Sequence, residues 1–385
     1  MSSDKSPTSA SPAALDIEVV RTLGKLASHG DAWNQLAARC PAQLPMVSYA
    51  WTSTYLEKAM PAGTDWACFF AYRGADLVAV LPVIAQRASR FGLRGQVVKT
   101  PRDDHTGIGD LLFCSLADVD GAARILSAVS REFPLAGYVE ITRFPANSLL
   151  LEALRGSLLN FRHTCREERP GAYLPVPVDF AKFRNGLSRN FRNNLNKAGN
   201  KISELPDVAF RFTDGQIAAE EIFAEFLKVE ASGWKGEEGS AIGKSGQWIE
   251  FYRTLVQRLR EAGWLEWQLL VGDGNTLAAN LAIRMPGAVI IWKLGYNEEY
   301  SRCSPGSILL EELVRREATT LASTEINLTT SQPWYDNWGM RYRNYYTARF
   351  YYGWRGWLLW YLPDKAKDLL RRMPLVMRIK GWLRD

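Results

Sequence analysis

The chain has 385 residues, of which 47% are hydrophobic and 23% are charged. These are globular values, so they exclude a disordered or collagen-like chain, and the length suits two domains of ordinary size. The five cysteines are scattered without a CxxC pair and only three histidines are present, so we expect a reduced, cytoplasmic protein with neither a zinc site nor a disulfide framework.

Residues 1–16 lack the basic and apolar regions of a signal peptide, and we predict a disordered leader there. No stretch of the chain approaches the roughly 18 apolar residues that a membrane-spanning helix needs. The sequence therefore predicts a soluble or peripheral protein.

The same pattern of elements occurs twice along the chain. Residues 66–84 and 267–283 each predict a strand, a glycine-containing turn and a second strand. A helix and a further strand follow each pair, at 121–133 and 138–142 in the first half and at 307–322 and 324–328 in the second. We predict two copies of a mixed α/β unit with a boundary near residues 175–185, where Leu174-Pro-Val-Pro-Val is typical of a linker.

The net charge of +6 is concentrated in two stretches. Residues 341–385 contain 11 Lys/Arg against 3 Asp/Glu. Residues 180–203 contain no acid and six cations, which are Lys182, Arg184, Arg189, Arg192, Lys197 and Lys201. Such runs are common on solvated surfaces, and they also suit a phosphate-bearing partner such as a cofactor, a lipid surface or RNA.

The helix predicted at 307–322 has a well-defined start. Ser304 is a candidate N-cap, Pro305 suits the first helical position, and Gly306 leaves the first backbone N–H groups uncovered. A helix start of this kind favours an anion such as a phosphate, although most helix starts bind only water. Two cations, Lys293 and Arg302, lie close to this helix start in sequence.

Two segments of the second half resemble a known family. Glu230-Ala-Ser-Gly-Trp-Lys-Gly-Glu-Glu-Gly-Ser-Ala and, later in the chain, Leu294-Gly-Tyr-Asn-Glu-Glu-Tyr-Ser-Arg-Cys-Ser-Pro-Gly are similar to two signatures of the CelD-like acyltransferases of the GNAT superfamily. That family is related in fold to the Fem-type peptidoglycan aminoacyltransferases, which are tandem GNAT domains and have a helix similar to the segment 188–198. One position departs from the family's pattern, because Asn297 stands where Asp is common.

The resemblance implies tandem GNAT-like domains, each a mixed β-sheet flanked by helices. We expect an N-terminal GNAT-like domain at 17–178, a C-terminal acyltransferase domain at 179–352 and a basic, Trp-rich amphipathic tail at 353–385. The implied activity is acyl-CoA-dependent N-acyl transfer, directly and in a ternary complex, to an amine of a small molecule or of a cell-envelope or exopolysaccharide precursor. Acetyl-CoA or a longer acyl-CoA would be the co-substrate, and no metal is implied.

The resemblance and the helix start together suggest a cofactor site. The expected pyrophosphate contacts are the backbone N–H groups at 306–308, and the full predicted set is Lys293, Leu294, Arg302, Ser304, Gly306, Ser307 and Ile308. Glu230 is the candidate base for the amine's proton, and Tyr296 is the candidate proton donor to the departing thiolate. Glu230 could instead order the loop 233–239 through Lys235, and Tyr296 could be a core residue with its hydroxyl at the rim.

Five residues are candidates for acceptor binding. Trp234 offers a flat apolar wall and Lys235 a fixed charge, although the Trp could equally serve to anchor its loop. Tyr335 and Asp336 follow the last strand predicted within the repeat. His105 lies in an Asp-rich, Gly-containing loop without a second His or Cys at ligand spacing, which argues against a metal and leaves a role in lining the substrate cleft.

Beyond residue 352, Trp, Leu, Arg and Lys alternate as they do in helices that lie in a membrane interface. Our hypothesis is peripheral attachment of this tail to the anionic inner face of the plasma membrane. The alternative is a helix that packs its apolar face back onto the second domain.

Two other functions stay open. A Fem-like, aminoacyl-tRNA-dependent transferase would use the basic stretch 182–201 on RNA phosphates. A catalytically silent, membrane-associated scaffold for polysaccharide synthesis would agree with Asn297. DNA binding is not expected, because no recognised reading module is present, and the absence of P-loop, GxSxG and GxGxxG sequences argues against nucleotide-triphosphatases, hydrolases and dinucleotide dehydrogenases.

Overall fold

The structure is a computed structural model that describes residues 14–90, 92–232 and 242–366. Most of the predicted leader and the end of the predicted tail lie outside these residues. The segment 233–241, with the predicted acceptor-binding residues Trp234 and Lys235, also lies outside them. No described helix is long and apolar enough to cross a membrane.

The strands form one mixed sheet in the order β1-β2-β3-β4-β6-β13-β7-β12-β11-β10-β9-β8, with β5 beside β3. Their bounds are β1 (Leu15–Val20), β2 (Asp65–Arg73), β3 (Asp76–Arg90), β4 (Leu93–Lys99), β5 (Leu112–Phe113), β6 (Ala136–Pro145), β7 (His163–Pro175), β8 (Ala209–Thr213), β9 (Leu265–Gly272), β10 (Asn275–Met285), β11 (Ala288–Tyr296), β12 (Glu325–Asn327) and β13 (Arg341–Tyr351).

The described α-helices are α1 (Leu23–Ala27), α2 (Gly30–Arg39), α3 (Tyr49–Thr54), α4 (Val119–Glu132), α5 (Leu149–Arg155), α6 (Phe180–Gly186), α7 (Arg189–Ser203), α8 (Ala219–Ala231), α9 (Gly246–Glu261), α10 (Pro305–Thr320) and α11 (Gly353–Arg355). Wider π-helical turns extend α3 over Tyr55–Ala59 and α11 over Gly356–Tyr361. Short 3₁₀ helices lie at Pro45–Val47, Leu116–Asp118, Ile242–Lys244, Glu298–Cys303 and Pro333–Trp338.

Both halves of the sheet have the same connectivity, which confirms the predicted duplication. In the first half β1 to β4 are antiparallel neighbours, and α4 then crosses over to β6, which lies parallel to β4. In the second half β8 to β11 are antiparallel neighbours, and α10 crosses over to β12, which lies parallel to β11. The mixed α/β fold class and both predicted hairpins, β2–β3 and β9–β10, are therefore confirmed.

The last strand of the sheet joins the two halves. β13 inserts between β6 and β7, and β7 in turn pairs with β12. The sheet is thus continuous from β1 to β8. A division of the chain at residue 178 stays a prediction.

The two faces of the sheet are covered differently. On one face a single core contains side chains from both halves, including Trp33, Trp51, Phe251 and Trp267. We call this the shared face, and α2, α3, α8 and α9 cover it. The other face carries two separate cores, one under α4 and α5 and one under α7 and α10, and we call the part under α10 the α10 face. Burial on the shared face holds the halves together.

One cysteine pair corrects the sequence analysis. Cys40 and Cys114 are joined by a disulfide, with the two Cα atoms 4.5 Å apart and 74 residues between them in sequence. The expectation that the scattered cysteines form no disulfide is wrong for this pair, because the fold brings together residues that are far apart in sequence.

Asp110 should give the protein a distinctive pH dependence. Burial raises the pKa of this carboxyl to about 7, although Ser148 and the Leu111 amide hydrogen-bond to it and act in the opposite direction. In the unfolded chain its pKa is about 4, so between these values the folded state holds a proton that the unfolded state has lost. Its contribution to stability is complete below about pH 4 and declines as pH rises to about 7.

We expect Asp110→Asn to remove this dependence, because the amide has the same size and does not ionise. The variant should gain stability relative to the wild type between pH 4.5 and pH 7.5, by an amount on the order of 3 kcal/mol. Urea unfolding of both proteins across that range measures the difference. If the free energy of unfolding changed with pH in the same way for both proteins, Asp110 would not be protonated in the folded state.

Candidate functional site

The turn into α10 confirms part of the predicted helix start. Pro305 occupies the first turn, but Ser304 has a left-handed backbone (φ +45°) and its side chain makes no capping hydrogen bond. Instead its carbonyl accepts the N–H groups of Ser307, at 3.0 Å, and Ile308, at 3.2 Å. A side-chain cap by Ser304 is therefore a wrong prediction. A left-handed non-glycine residue costs roughly 1 kcal/mol or more and is typical of functional turns.

The strands next to this turn diverge. β11 and β12 pair over three residues only, from Ala288 opposite Glu325 to Ile290 opposite Asn327. β11 then runs on to Tyr296 with β10 as its neighbour. Because β12 ends early, the α10 face has an opening between β11 and the start of α10.

A pocket of about 400 Å³ occupies this opening. Five of the predicted site residues line it, namely Leu294, Tyr296, Ser304, Gly306 and Ser307. We call it the α10 pocket. The sequence grouped these residues correctly because they belong to one strand–turn–helix unit.

Other residues in the α10 pocket come from distant parts of the chain. Phe191 contributes from α7, Asn280 from β10, and Trp334, Asn337 and Trp338 from the 3₁₀ helix after β12. Trp338 meets Phe191 edge to face, with ring centroids 5.1 Å apart. No sequence pattern indicated Asn280, and Phe191 was marked only by the similarity of the segment 188–198 to a Fem-type helix. The predicted residues Tyr335 and Asp336 lie one and two positions away from the lining residues Trp334 and Trp338.

The predicted pair Tyr335 and Asp336 does not line this pocket. Tyr335 is buried, and its hydroxyl lies 3.1 Å from the Thr330 hydroxyl. Asp336 is exposed and accepts a hydrogen bond from Tyr342. In a 3₁₀ helix residues three apart lie on the same side, so Trp334 and Asn337 face the pocket together.

Two polar groups interrupt the apolar lining. The indole N–H of Trp338 is buried and has no hydrogen-bond partner among the described residues. Asn280 uses its side-chain N–H₂ to bond Gln268, at 3.0 Å. A side-chain amide in an apolar pocket suits a ligand that carries amide groups along an aliphatic chain, as the pantetheine arm of coenzyme A does.

Cations lie at the rim beside the helix start. Lys201 of α7 donates to the carbonyl of Arg302, at 3.2 Å, and both side chains are exposed. Arg302 is not in the pocket lining, although the sequence analysis included it as a cofactor contact. Ile308 is also a predicted contact, but its side chain is buried in the core and its N–H bonds Ser304.

Tyr296 lies where the end of β11 meets the helix start. Its ring is the nearest neighbour of Gly306, since a Cβ built on that glycine would be 3.9 Å from Tyr296 Cδ1. Burial raises the pKa of Tyr296, and a hydrogen bond and the negative charge of Glu298 raise it further. The hydroxyl therefore keeps its proton at neutral pH.

A β-bulge separates Lys293 from the α10 pocket. Leu281 pairs with Lys293 and Ala282 pairs with Ile291, so Trp292 is the extra residue. Trp292 and Lys293 consequently both point to the shared face, where the Lys293 ammonium lies 5.8 Å from the Tyr252 ring centre. The predicted contact between Lys293 and a cofactor in the pocket is not met, because a single inserted residue reverses the face of everything after it.

A hydrogen-bonded chain crosses between the halves on the shared face. Trp292 donates to the hydroxyl of Tyr252, at 3.3 Å, and that hydroxyl lies 3.1 Å from Nδ1 of His105. The Tyr252 hydroxyl therefore links the Trp292 indole to the His105 ring. Burial and the charge of Lys293 lower the pKa of His105 to about 3, so its ring is neutral. His105 thus belongs to a chain of polar groups behind β11, on the face opposite the α10 pocket.

Glu230 also lies on the shared face. Helix α8 approaches β11 so closely that a Cβ on Gly295 would be 2.8 Å from the Glu230 Cα. The Glu230 side chain is 3% exposed, and its carboxylate accepts the N–H of Ile242, at 3.0 Å. Ile242 begins the short 3₁₀ helix Ile242–Lys244, so this hydrogen bond ties α8 to that helix. Its role as a base stays a prediction.

The departure at Asn297 has a structural explanation. Its side-chain oxygen accepts the N–H of Glu299, at 3.1 Å, as the cap of the short helix Glu298–Cys303. Asp and Asn are equally good caps of this kind. The substitution therefore preserves the turn and takes no carboxylate out of the α10 pocket, whose lining does not include Asn297.

The equivalent helix start in the first half is different. Asp118 and Asp120 stand at the start of α4, and Arg73 pairs with both. Two carboxylates at this helix end disfavour a phosphate. The glycine of this turn, Gly121, serves close packing, since a Cβ there would meet Ala71 at 3.3 Å.

In the comparison with known proteins, a family model matches the half of the chain that carries the α10 pocket. Residues 189–330 match the family model described as an acetyltransferase (GNAT) domain. A search of curated proteins gave no significant match.

The fold is similar to that of several solved structures. FemX is 10% identical with a TM-score of 0.58, covering 89% of this chain and 99% of that one. The C-terminal domain of a putative lysylphosphatidylglycerol synthetase from Agrobacterium fabrum is 11% identical with a TM-score of 0.53, covering 84% and 92%. A conserved protein of unknown function from Bacteroides thetaiotaomicron is 14% identical with a TM-score of 0.50, covering 86% and 97%. Residues 189–330 therefore match a GNAT acetyltransferase domain, and this match supports an acyltransferase activity, while the solved structures show a shared fold.

Proposed function

We propose that the protein is an acyl-CoA-dependent N-acyltransferase that binds acyl-CoA in the α10 pocket. The observation that carries this proposal is a mostly apolar pocket where β11 and β12 diverge, beside a helix start that carries Gly306. These elements belong to the half of the chain that contains the matched GNAT domain. Acyl-CoA supplies the acyl group as an activated thioester.

The chain's own groups suit the parts of this co-substrate. The start of α10, with Gly306 and no side chain in the way, favours the pyrophosphate, and the exposed cations Lys201 and Arg302 add positive charge at the rim. The side-chain oxygen of Asn280, whose N–H₂ group bonds Gln268, suits the amides of the pantetheine arm.

Residues around the end of β11 would supply the proton donor, the base and the group that polarises the carbonyl. Tyr296, whose raised pKa keeps it protonated, holds the proton that a sulfur leaving group needs. The amine approaches from the shared face, where Glu230 is our candidate base. A backbone amide of β11 beyond its three-residue pairing with β12 would polarise the carbonyl. The acceptor would be a small amine or a cell-envelope or exopolysaccharide precursor, held by the shared face and by Trp234 and Lys235.

One observation favours a second candidate. Helix α7, which contributes Phe191 to the α10 pocket, carries the exposed cations Arg189, Lys197 and Lys201. Exposed cations on a helix that lines the pocket also suit the phosphates of an aminoacyl-tRNA. In that case the pocket would receive the aminoacyl end of an RNA in place of acyl-CoA.

Calorimetric titration of the purified protein distinguishes the two candidates. We expect acetyl-CoA or a long-chain acyl-CoA to bind with a micromolar or lower Kd, and the preferred chain length to narrow the substrate. A titration with bulk tRNA at low and moderate salt runs in parallel. Salt-sensitive tRNA binding with no binding of any CoA species would overturn the proposal in favour of the second candidate.

Tyr296→Phe should separate chemistry from binding. The ring and its packing at Gly306 are retained, while the proton is lost. We expect kcat to fall by about 10² to 10⁴ with little change in KM for the acyl donor. Steady-state kinetics at several pH values provide the measurement. An unchanged kcat would remove Tyr296 from the chemistry.

A further inference from the structure

The helix after β13 has an unusual outer surface. It begins at Gly353 and stays helical to residue 366. It exposes four large apolar side chains beside the exposed Arg355 and Lys365, with Trp354 66%, Trp357 37%, Leu358 47% and Leu362 39% exposed. A soluble protein rarely exposes several large apolar groups on so short a helix without a partner.

The inner side of this helix is already packed. Trp360 lies over Gly137, where a Cβ would come within 2.4 Å of its ring, and meets Tyr138 edge to face. The Asp364 carboxylate accepts hydrogen bonds from Arg349, at 2.7 Å, and from the hydroxyl of Tyr351, at 2.9 Å. The helix is therefore anchored to β6 and β13, and its outward apolar groups serve no purpose within the described fold.

The apolar surface continues onto the neighbouring loops. Leu93 is 46% exposed and Leu135 is 50% exposed, and both line a groove with Trp354 and Leu359. Six of the 14 exposed large hydrophobic side chains in the described residues belong to this region. We call them together the tail face; they are Leu93, Leu135, Trp354, Trp357, Leu358 and Leu362.

The rim of the tail face is cationic. Arg355 lies 5.4 Å from the Trp354 ring centre, and Arg162 lies 5.7 Å from that of Trp357. Arg94 lines the groove as well. From the same face the sequence continues over 367–385 with six Lys/Arg against two Asp. This charge complements an anionic surface.

We propose that the tail face docks on an anionic lipid bilayer. Indole rings prefer the headgroup level, where the apolar body enters the acyl boundary, and arginines beside them meet lipid phosphates. The exposed Trp and Leu residues supply the apolar contact and the cationic rim supplies selectivity for anionic lipid. The inference is independent of the acyl donor and of the α10 pocket.

Vesicle co-sedimentation of the full chain tests the proposal. The vesicles are phosphatidylcholine alone, or phosphatidylcholine with phosphatidylglycerol at roughly 3:1. We expect binding only to the anionic vesicles, weakened at about 0.5 M salt, with a blue shift of Trp fluorescence. The test variant is Trp354→Ala/Leu358→Ala, and the matched control is Phe210→Ala/Ile217→Ala, which removes exposed apolar groups elsewhere on the surface.

The test variant should bind at least about tenfold more weakly, while the control variant binds as the wild type does. Equal binding by wild type and test variant would overturn the proposal and assign the affinity to residues 367–385. Failure of the wild-type protein to bind anionic vesicles would also overturn it. If, in that case, the wild type eluted as a dimer and the test variant as a monomer in size-exclusion chromatography, the tail face would be a contact between two copies.

Discussion

Gly306→Glu should abolish measurable binding of acyl-CoA, weakening it by at least about 100-fold, which corresponds to about 2.7 kcal/mol. The substitution puts a negative charge at the start of α10, where the pyrophosphate is expected. The protein itself should stay folded, because Gly306 has an ordinary backbone and the nearest atom to a Cβ there is 3.9 Å away. An acidic side chain in the first turn of a helix is even slightly stabilising.

Two matched variants separate charge from bulk in this experiment. Gly306→Ala adds only the Cβ and should bind acyl-CoA within about threefold of the wild type, because no atom obstructs it. Gly306→Gln adds the same bulk as Gly306→Glu without the charge. The difference between the Glu and Gln variants should shrink at high salt. Equal affinity of these two variants would mean that no phosphate lies at this turn.

Arg284→Ala should be the most destabilising single substitution among the charged residues of the second half. Arg284 donates to Glu317, at 2.8 Å, and to Glu266, at 2.9 Å. Both carboxylates are buried, Glu317 completely. Burial alone would lower the pKa of Arg284, but its two carboxylate partners raise it on balance. Arg316 still pairs with Glu266, at 2.9 Å, but removing Arg284 leaves the fully buried Glu317 without its cation, which costs about 3–5 kcal/mol.

Urea unfolding at neutral pH measures this loss, and Lys228→Ala is the control. Lys228 pairs with Glu225 at a similar distance, 2.6 Å, but on the exposed surface of α8, so its loss should cost less than about 1 kcal/mol. If Arg284→Ala does not fold, Arg284→Lys keeps the charge and loses the two-sided geometry, and an intermediate cost is expected. Equal stability of the Arg284 and Lys228 variants would mean that burial does not strengthen this network.

The network has a second consequence for the α10 pocket. Glu266 accepts a hydrogen bond from Gln268, and Gln268 accepts one from Asn280, which lines the pocket. Loss of Arg284 should therefore also loosen Asn280.

The sequence by itself predicted the repeated architecture and the core of the candidate site. Each hairpin has a glycine-containing turn between apolar runs, and the start of α10 carries Pro305 and Gly306 in adjacent positions. These signals are local, since each depends on residues within one turn or one strand pair. Five predicted residues, which are Leu294, Tyr296, Ser304, Gly306 and Ser307, therefore lie together in the α10 pocket.

Only the tertiary structure decided which face each group occupies. The bulge at Trp292 turns Lys293 to the shared face, and no pattern in the sequence marks it, because strand register depends on the neighbouring strand. Phe191 and Asn280 reach the pocket, and Cys40 meets Cys114, through packing between elements that are far apart along the chain. Local propensities determine elements, while the faces and partners of side chains depend on how those elements pack.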